Sequence, residues 1–301
     1  MVSVIITTYK REPFYLERAI ESVLAQTYKD WELIVVDDSP SDYQYRPDVK
    51  KLVEDYSKKY HKITYIQQPV NGGACKARNT GLKAANGEYV GFFDDDDEWT
   101  YDKLSKQVMA LNKSDDMTAL VYCNYYQLDD DTNNKKLISL PQHKGYVFNE
   151  LLEQNFIGSC SFPLLKTSCV RKLNGFDEKL LSCQDWDMWL RIAHKYKVCY
   201  INDPLIVYHA FHGANISGNA NNKVKGYECI FRKYNSYITQ KRKLYWRHLI
   251  RLAPMYGWNK QYKKAVITWL KAVKLCPWKI DENVLSLVGR AIRQIYRKIL
   301  S

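Results

Sequence analysis

Apolar residues open the chain as one dense run, Val2-Ser3-Val4-Ile5-Ile6, which stops at Thr7-Thr8-Tyr9. Such a run, short and bounded by polar residues, predicts a buried strand over residues 2–8. Leu16, Ala19, Ile20, Val23 and Leu24 then recur at i, i+3, i+4, i+7 and i+8, the stripe of a helix laid on a sheet. Residues 32–36 and 63–66 read as two more apolar strands, with a helix between them at about 49–60. A further helix, about 74–85, leads through Asn86-Gly87 into a strand at 89–93. Strand and helix in strict alternation predict an α/β domain with a parallel sheet flanked by helices.

After about residue 115 the rhythm changes. Strands are expected at 119–125, 198–201 and 205–208, a turn at 129–134 and a helix near 147–154. Trp186, Trp189, Leu190 and Ala193 mark another helix, and from about 225 onward the chain reads as helical. Val284, Val288, Ala291, Ile292, Ile295 and Ile299 keep one apolar face there, surrounded by Arg290, Arg293, Arg297 and Lys298. No repeat or Pro/Ser linker separates these stretches. They divide into residues 1–115, residues 116–224 of the same domain, where the change of rhythm marks a change of role, and a basic amphipathic helical region (225–301).

Length and composition agree with a folded body: 301 residues, 46% of them hydrophobic, suffice for one large domain or two modest ones. Eight cysteines lie scattered without a CxxC pair, the usage of reduced thiols. Neither a signal-like leader nor an apolar stretch of the ~18–20 residues needed to span a bilayer is visible, so a cytoplasmic protein is expected. The net charge of +12 is unevenly placed: 15 of the 45 Lys and Arg but only Asp281 and Glu282 of the 33 acidic residues fall in 241–301. The tail therefore carries +13, and the rest is close to neutral.

In an open α/β sheet, ligands collect beyond the carboxyl ends of the strands. Three polar clusters lie at such ends: Thr7-Thr8-Tyr9, Asp37-Asp38, and Asp94-Asp95-Asp96-Asp97. Each alone could be a solvated turn. Four adjacent carboxylates, however, repel one another unless a cation neutralises them, and oxygen donors of this kind suit Mg²⁺ or Mn²⁺ bound together with substrate phosphates. Asp129-Asp130-Asp131, with no apolar strand running straight into it, reads as an ordinary solvated turn. The phosphate cradles GxxxxGK[ST] and GxGxxG are both missing, so an ATPase or dinucleotide reading lacks its backbone. Arg78 is the candidate basic partner for phosphate or base oxygens, against the plainer reading of a surface helix cation. Asp185 opens an apolar-striped helix, where the helix dipole favours its charge, as a candidate base or as a simple N-cap. Asp187 is its rival.

Val4-Ile5-Ile6-Thr7-Thr8-Tyr9, Val35-Val36-Asp37-Asp38, Asn71-Gly72-Gly73 with Arg78-Asn79, Gly87-Glu88-Tyr89, Phe92 to Trp99, and Gln184-Asp185-Trp186-Asp187-Met188-Trp189-Leu190-Arg191 follow one another in the order and spacing of a known family. Over about residues 2–217 the chain resembles the family 2 glycosyltransferases of bacterial polysaccharide synthesis. That resemblance implies a Rossmann-like nucleotide-diphospho-sugar transferase fold of the glycosyltransferase-A type, with a mixed sheet, and sugar transfer with inversion. It further implies that Thr7, Tyr9 and Asp38 hold the nucleoside of a UDP-sugar, with Asp95 and Arg78 also on the donor. Asp94, Asp96 and Asp97 would meet a Mn²⁺ or Mg²⁺ ion and the diphosphate, and Asp185 would be the general base. The common pattern has Glu before that Asp, where this chain has Gln184. His212, in a weaker motif that ends at Ser217, is a candidate to meet the metal from a closing loop, with His209 as its rival.

The acceptor implied is a saccharide, lipid-linked in cell-surface polymers such as capsule, exopolysaccharide, O-antigen or teichoic acid. A basic, tryptophan-bearing tail suits an anionic membrane surface, making the enzyme peripheral to the inner face of the cell membrane, while an ordinary helical subdomain is the simpler reading. Two other classes are weighed and set behind. A sugar-nucleotide pyrophosphorylase needs a Gly- and Arg-rich loop that Thr7-Thr8-Tyr9-Lys10-Arg11 does not supply, and nucleic-acid binding leaves the carboxylate run unexplained.

Overall fold

The computed structural model describes residues 1–210 and 220–277. In chain order the first half gives β1 (Val2–Thr8), α1 (Pro13–Leu24), β2 (Trp31–Asp37), α2 (Arg46–Lys59), β3 (Ile63–Gln67), α3 (Ala74–Ala84), β4 (Tyr89–Asp94), β5 (Glu98–Trp99) and α4 (Lys103–Asn112). There follow β6 (Thr118–Asp129), β7 (Asn134–Ile138), α5 (Phe148–Glu153), β8 (Leu164–Lys166), α6 (Thr167–Lys172), α7 (Gln184–Lys195) and β9 (Lys197–Ala210). The helices α8 (Ala220–Lys233), α9 (Asn235–Thr239), α10 (Arg242–Trp258) and α11 (Tyr262–Leu275) complete the described chain.

Among the described residues, nine strands form one mixed sheet in the order β3-β2-β1-β4-β8-β6-β9-β5, with β7 paired to β6. The β3-β2-β1-β4 half is parallel, β8 runs antiparallel to β4 and β6, and β9 runs parallel to β6. Side chains alternate between the two faces of β1. Val2, Val4 and Ile6 meet the Leu16, Ala19, Ile20 and Val23 stripe of α1 in one buried cluster. Ile5 points the other way, toward α3, where a Cβ on Gly81 would come within 2.3 Å of the Ile5 side chain. Glycine at 81 is what lets α3 lie close on the sheet.

The expected α/β architecture is present, with corrections after residue 94. Residues 198–201 and 205–208 are not two strands but parts of the single strand β9, whose pairing with β6 shifts register between Cys123 and Asn124 and again between Asn124 and Tyr126. Pro204 sits opposite Asn124 at that irregularity, and the Asn124 amide donates to the Asn202 carbonyl at 2.8 Å, so a bulge carries the strand past a residue without an N–H. The strands β5, β7 and β8 and the helices α4 and α6 have no counterpart in the sequence reading. Leu104, Val108 and Leu111 lie buried along α4 at i, i+4 and i+7, a stripe that the sequence does carry.

Two compact units emerge. Among the described residues, one takes Met1–Lys179 and residues 184–210, and the other takes Leu180–Cys183 and the helices from Ala220 onward. In the second, Gly226 of α8 lies against Ser182, whose carbonyl oxygen a Cβ would approach to 2.7 Å. The same unit buries His248 of α10, whose Nδ1 is 2.8 Å from the Tyr227 hydroxyl. The apolar pattern at 284–299 lies outside the described residues.

Candidate active site

The carboxyl ends of β1, β2 and β4 converge, because Thr7 pairs with both Val36 and Asp94 in the sheet. Beyond β4 the chain turns at once: the Asp97 N–H donates to the Asp94 carbonyl at 3.3 Å, and β5 begins at Glu98. Trp99 anchors that turn. Its ring stacks on Phe93 at 4.4 Å, its Nε1–H donates to the Ser161 carbonyl at 3.0 Å, and Gly91 leaves the space it fills. Beneath it lies a fully buried lysine, Lys103, with Nζ 3.8 Å from the Trp99 ring centre and 2.6 Å from Gln107 Oε1.

The four carboxylates do not depend on a bound ion alone, because two arginines pair with three of them and a third arginine holds the main chain between them. Arg78 Nη2 donates to Asp94 Oδ1 at 2.8 Å, Arg11 Nη2 to Asp96 Oδ2 at 2.8 Å, and Arg11 Nε to Asp95 Oδ1 at 3.2 Å. Arg18 Nη2 donates to the Asp96 carbonyl at 2.7 Å. This corrects the expectation that only a metal could make the cluster tolerable. Arg11 and Arg18 escaped the sequence reading; their signal is position, one just past the end of β1 and one on the polar side of α1.

Charge compensation is incomplete at Asp97. It is 1% exposed, and neither of its carboxylate oxygens makes a hydrogen bond of acceptable geometry. The Ser161 hydroxyl and the backbone at His209 bear on it more weakly. Burial, then Asp96 and Asp94, push the Asp97 pKa far above the usual carboxylate range. Asp95 is raised in the same way by burial, against the opposing pull of Arg11, and its Oδ2 also has no partner. Unpartnered carboxylate oxygens at a sheet mouth are hard donors that fit Mg²⁺ or Mn²⁺. Among the described residues, however, no three His, Cys, Asp or Glu side chains already converge as a closed metal site.

Arg78 is buried rather than a surface cation. Its Nη1 donates to Gln184 Oε1 at 2.8 Å, so one guanidinium joins the end of β4 to the start of α7 and uses the Gln that departs from the common pattern. Phe176 lies under it, 5.4 Å from the guanidinium carbon to the ring centre, in a segment held by reciprocal hydrogen bonds between Asn79 and the Phe176 backbone.

Asp185 is the second residue of α7, within the first turn and not ahead of it as an N-cap. Its Oδ1 accepts the Trp186 N–H at 2.8 Å and its Oδ2 accepts the Asn155 amide at 3.0 Å. Burial pushes its pKa up to about 6, with the Trp186 amide and Arg78 opposing and Asp94 adding to the rise. Asn155 is a further residue the sequence reading missed. It closes a short loop in which Gly158, at φ +96°, gives its carbonyl to Trp189 Nε1 at 3.0 Å. The rival, Asp187, is fully buried and paired with Arg191 at 2.7 Å, which makes it part of the scaffold.

The nucleoside candidates are dispersed around the rim. Tyr9 is 44% exposed, Thr7 is half-buried, and Asp38 is 2% exposed. Asp38 organises a loop: its oxygens accept the Gly72 and Gly73 N–H groups and the Asn71 amide, each at 2.8 Å. His209, on β9, is clamped between Glu98 (2.8 Å) and Asp130 (2.6 Å), and these two carboxylates hold its pKa above the ordinary value although burial works against them. Asp130 is therefore a clamp rather than the plain solvated turn expected of it. His212 and Ser217 lie outside the described residues.

A parallel half-sheet carrying an acidic turn at its mouth, continued by antiparallel strands and a helix that presents one more carboxylate, is the arrangement of a glycosyltransferase-A type enzyme. A model of the family described as "Glycosyl transferase family 2" matches residues 3–173, more than half of the chain, and the chain belongs to that family. It is 30% identical to the putative colanic acid biosynthesis glycosyl transferase WcaA of Escherichia coli K12, over 81% of this chain and 85% of that one. It is 32% identical to the Escherichia coli UDP-Glc:alpha-D-GlcNAc-diphosphoundecaprenol beta-1,3-glucosyltransferase WfgD, over 67% of this chain and 73% of that one. Among solved structures, Staphylococcus aureus TarS 1–349 in complex with UDP-GlcNAc superposes with a TM-score of 0.68 at 18% identity, covering 95% of this chain and 83% of that one. The Pyrobaculum calidifontis mannosyltransferase PcManGT, in complex with GDP-Man and Mn²⁺, gives 0.61 at 19%, covering 97% and 79%. At such identities these two likenesses establish the fold.

Proposed function

We propose that this glycosyltransferase moves a sugar from a UDP-sugar to a hydroxyl of a lipid-linked saccharide, with inversion, in the synthesis of a cell-surface polysaccharide. The observation that carries the reading is Asp185: a carboxylate raised toward neutrality by burial, held on both oxygens, and set across Arg78 from the acidic turn. WfgD acts from UDP-Glc on a diphosphoundecaprenol-linked GlcNAc and TarS is seen with UDP-GlcNAc, which supports a UDP donor and a lipid-linked acceptor for this chain.

In this mechanism Asp185 takes the proton from the acceptor hydroxyl as its oxygen attacks the anomeric carbon from the face opposite the diphosphate. Arg78 holds Asp94 in register with the donor side and supplies fixed positive charge where the leaving group gains negative charge. Asp97 and Asp95, through their unpartnered oxygens, would hold Mn²⁺ or Mg²⁺, with Asp94 and Asp96 beside them; the ion, when bound, supplies Lewis-acid stabilisation of the diphosphate. Asp38 shapes the Asn71–Gly73 loop against which the nucleoside of the donor would lie, with Thr7 and Tyr9 at its rim.

The test is a thermal-shift screen of UDP- and GDP-sugars with and without Mn²⁺, followed by transfer assays on an undecaprenyl-diphosphate-linked sugar with EDTA and Mn²⁺ arms. Stabilisation by no nucleotide sugar would end the reading, and full activity in EDTA would remove the metal from it.

No described helix is long and apolar enough to cross a membrane. Contact with the lipid surface would fall to the helical unit, where Trp258, Ile267 and Leu270 are exposed, as are Lys263, Lys264, Lys271 and Lys274. Flotation with anionic vesicles at moderate salt checks this: a protein that stays at the bottom of the gradient has no such attachment.

A further inference from the structure

One cation in the acidic turn has no part in the mechanism above. Arg11 spans Asp95 Oδ1 and Asp96 Oδ2, and its guanidinium lies 5.4 Å from the centre of the Tyr15 ring. Lys10 sends it there: its backbone is in the left-handed region, φ +48°, and its N–H donates to Ser39 Oγ at 2.9 Å, turning the chain back toward the acidic turn. Arg18 differs, because it binds the main-chain oxygen of Asp96 and leaves the carboxylate alone. Arg78 differs as well, since it is buried and tied at both ends.

The oxygens of the turn thus fall into two sets. Asp95 Oδ1 and Asp96 Oδ2 are taken by Arg11, while Asp95 Oδ2 and both oxygens of Asp97 make no well-formed hydrogen bond, with only weaker approaches from Thr8, Ser161 and the His209 backbone. A divalent ion drawn to the second set meets the guanidinium on the first, and the two repel. A diphosphate changes the balance, because a guanidinium fork binds phosphate oxygens as readily as carboxylates.

We propose that Arg11 is a built-in counter-cation: it covers Asp95 and Asp96 in the donor-free enzyme, keeps metal affinity low, and moves onto the diphosphate when the donor arrives. Metal and nucleotide then bind as a pair, each raising the other's affinity by the same factor, as linkage requires. This rests on the reading that the turn takes a divalent ion together with a nucleoside diphosphate.

The experiment measures Mn²⁺ binding by the loss of its free electron-paramagnetic-resonance signal, on the full chain, with and without UDP. Arg11→Gln is expected to bind Mn²⁺ alone about tenfold more tightly than the wild type, since a charge that repels the ion is gone. UDP should then raise Mn²⁺ affinity much less than it does in the wild type. Arg11→Lys, which keeps the charge but loses the fork, should stay near wild type for Mn²⁺ alone and serves as the folded comparison, verified by circular dichroism. Wild-type Mn²⁺ affinity and an undiminished UDP effect in Arg11→Gln would overturn the assignment. If Asp97→Asn loses Mn²⁺ in the same series, the metal reading survives and only Arg11's role falls. If no variant, wild type included, takes up Mn²⁺ with or without UDP, the metal reading falls and the counter-cation with it.

Discussion

Asn155 and Asp185 meet through one hydrogen bond, amide Nδ2 to carboxylate Oδ2 at 3.0 Å, on the oxygen that the α7 backbone leaves free. The bond fixes the rotation of a carboxylate whose partial burial raises its proton affinity. Burial is the largest influence on the basicity of the proposed base, opposed by the Trp186 amide and Arg78, while Asn155 and Trp186 together set its orientation.

Asp185→Asn is expected to lower turnover by about 10²–10⁴-fold, the usual worth of a positioned base, while donor binding measured by calorimetry stays close to wild type. The base acts ionised, so the wild-type rate should rise with pH through about 6, where Asp185 loses its proton. Asn155→Asp, which puts a second carboxyl against it, should move that midpoint upward. A profile unchanged in Asn155→Asp would separate the rate-controlling group from Asp185.

Arg78→Lys retains the charge but cannot reach Asp94 and Gln184 as a fork. Turnover should fall by about 10²-fold, as for loss of one oriented donor at a developing charge, with a lower melting temperature because a buried bridge is cut. Equal kinetics in the two proteins would reduce Arg78 to a scaffold residue.

Gly158→Ala tests the loop under Asp185. Its φ of +96° disfavours any side chain, and a Cβ would lie 2.5 Å from the Phe162 ring. A loss of about 1–3 kcal/mol is expected in denaturant unfolding. Turnover should fall more than donor affinity, because Asn155 moves with the loop and the nucleoside rim does not.

Lys103 gives a stability signature. Burial lowers its pKa to about 7 from an ordinary value near 10.5, so between those limits the native state holds fewer protons than the unfolded chain. Its contribution therefore makes stability rise with pH across that window. Lys103→Met should remove this component, leaving a flatter melting-temperature profile from pH 7 to 9 than that of the wild type. Parallel profiles would mean that the amine stays charged in the fold.

Much of the parallel half of the sheet was legible because its signals are local. The run at Val2–Thr8 and the stripe from Leu16 to Val23 each state their own burial, and the structure returns both. The acidic turn was legible as a site of charge and Arg78 as a cation near it, but the two other arginines that meet it were not. Arg11 and Arg18 reach Asp95 and Asp96 across more than 75 positions, and neither sits in a pattern that hydrophobic periodicity can mark. Asn155 escaped for the same reason, being polar, in a loop, and meaningful only through the carboxylate it meets. The two-residue strand β5 is shorter than any periodicity, so the link from acidic turn to far edge of the sheet could not be read in advance.

That link restricts where this chain can grow. Glu98 and Trp99 pair with Val207 and Ile206, so the carboxylate turn is stitched at one end to β1 and at the other to β9. An insertion between Phe93 and Trp99 would have to unzip one seam or the other, whereas an insertion in the β6–β7 turn beyond Asp130, which holds His209, need unzip neither. Length variation between functional descendants of this sequence should therefore collect at that turn, and loop grafting for altered acceptor choice should begin there.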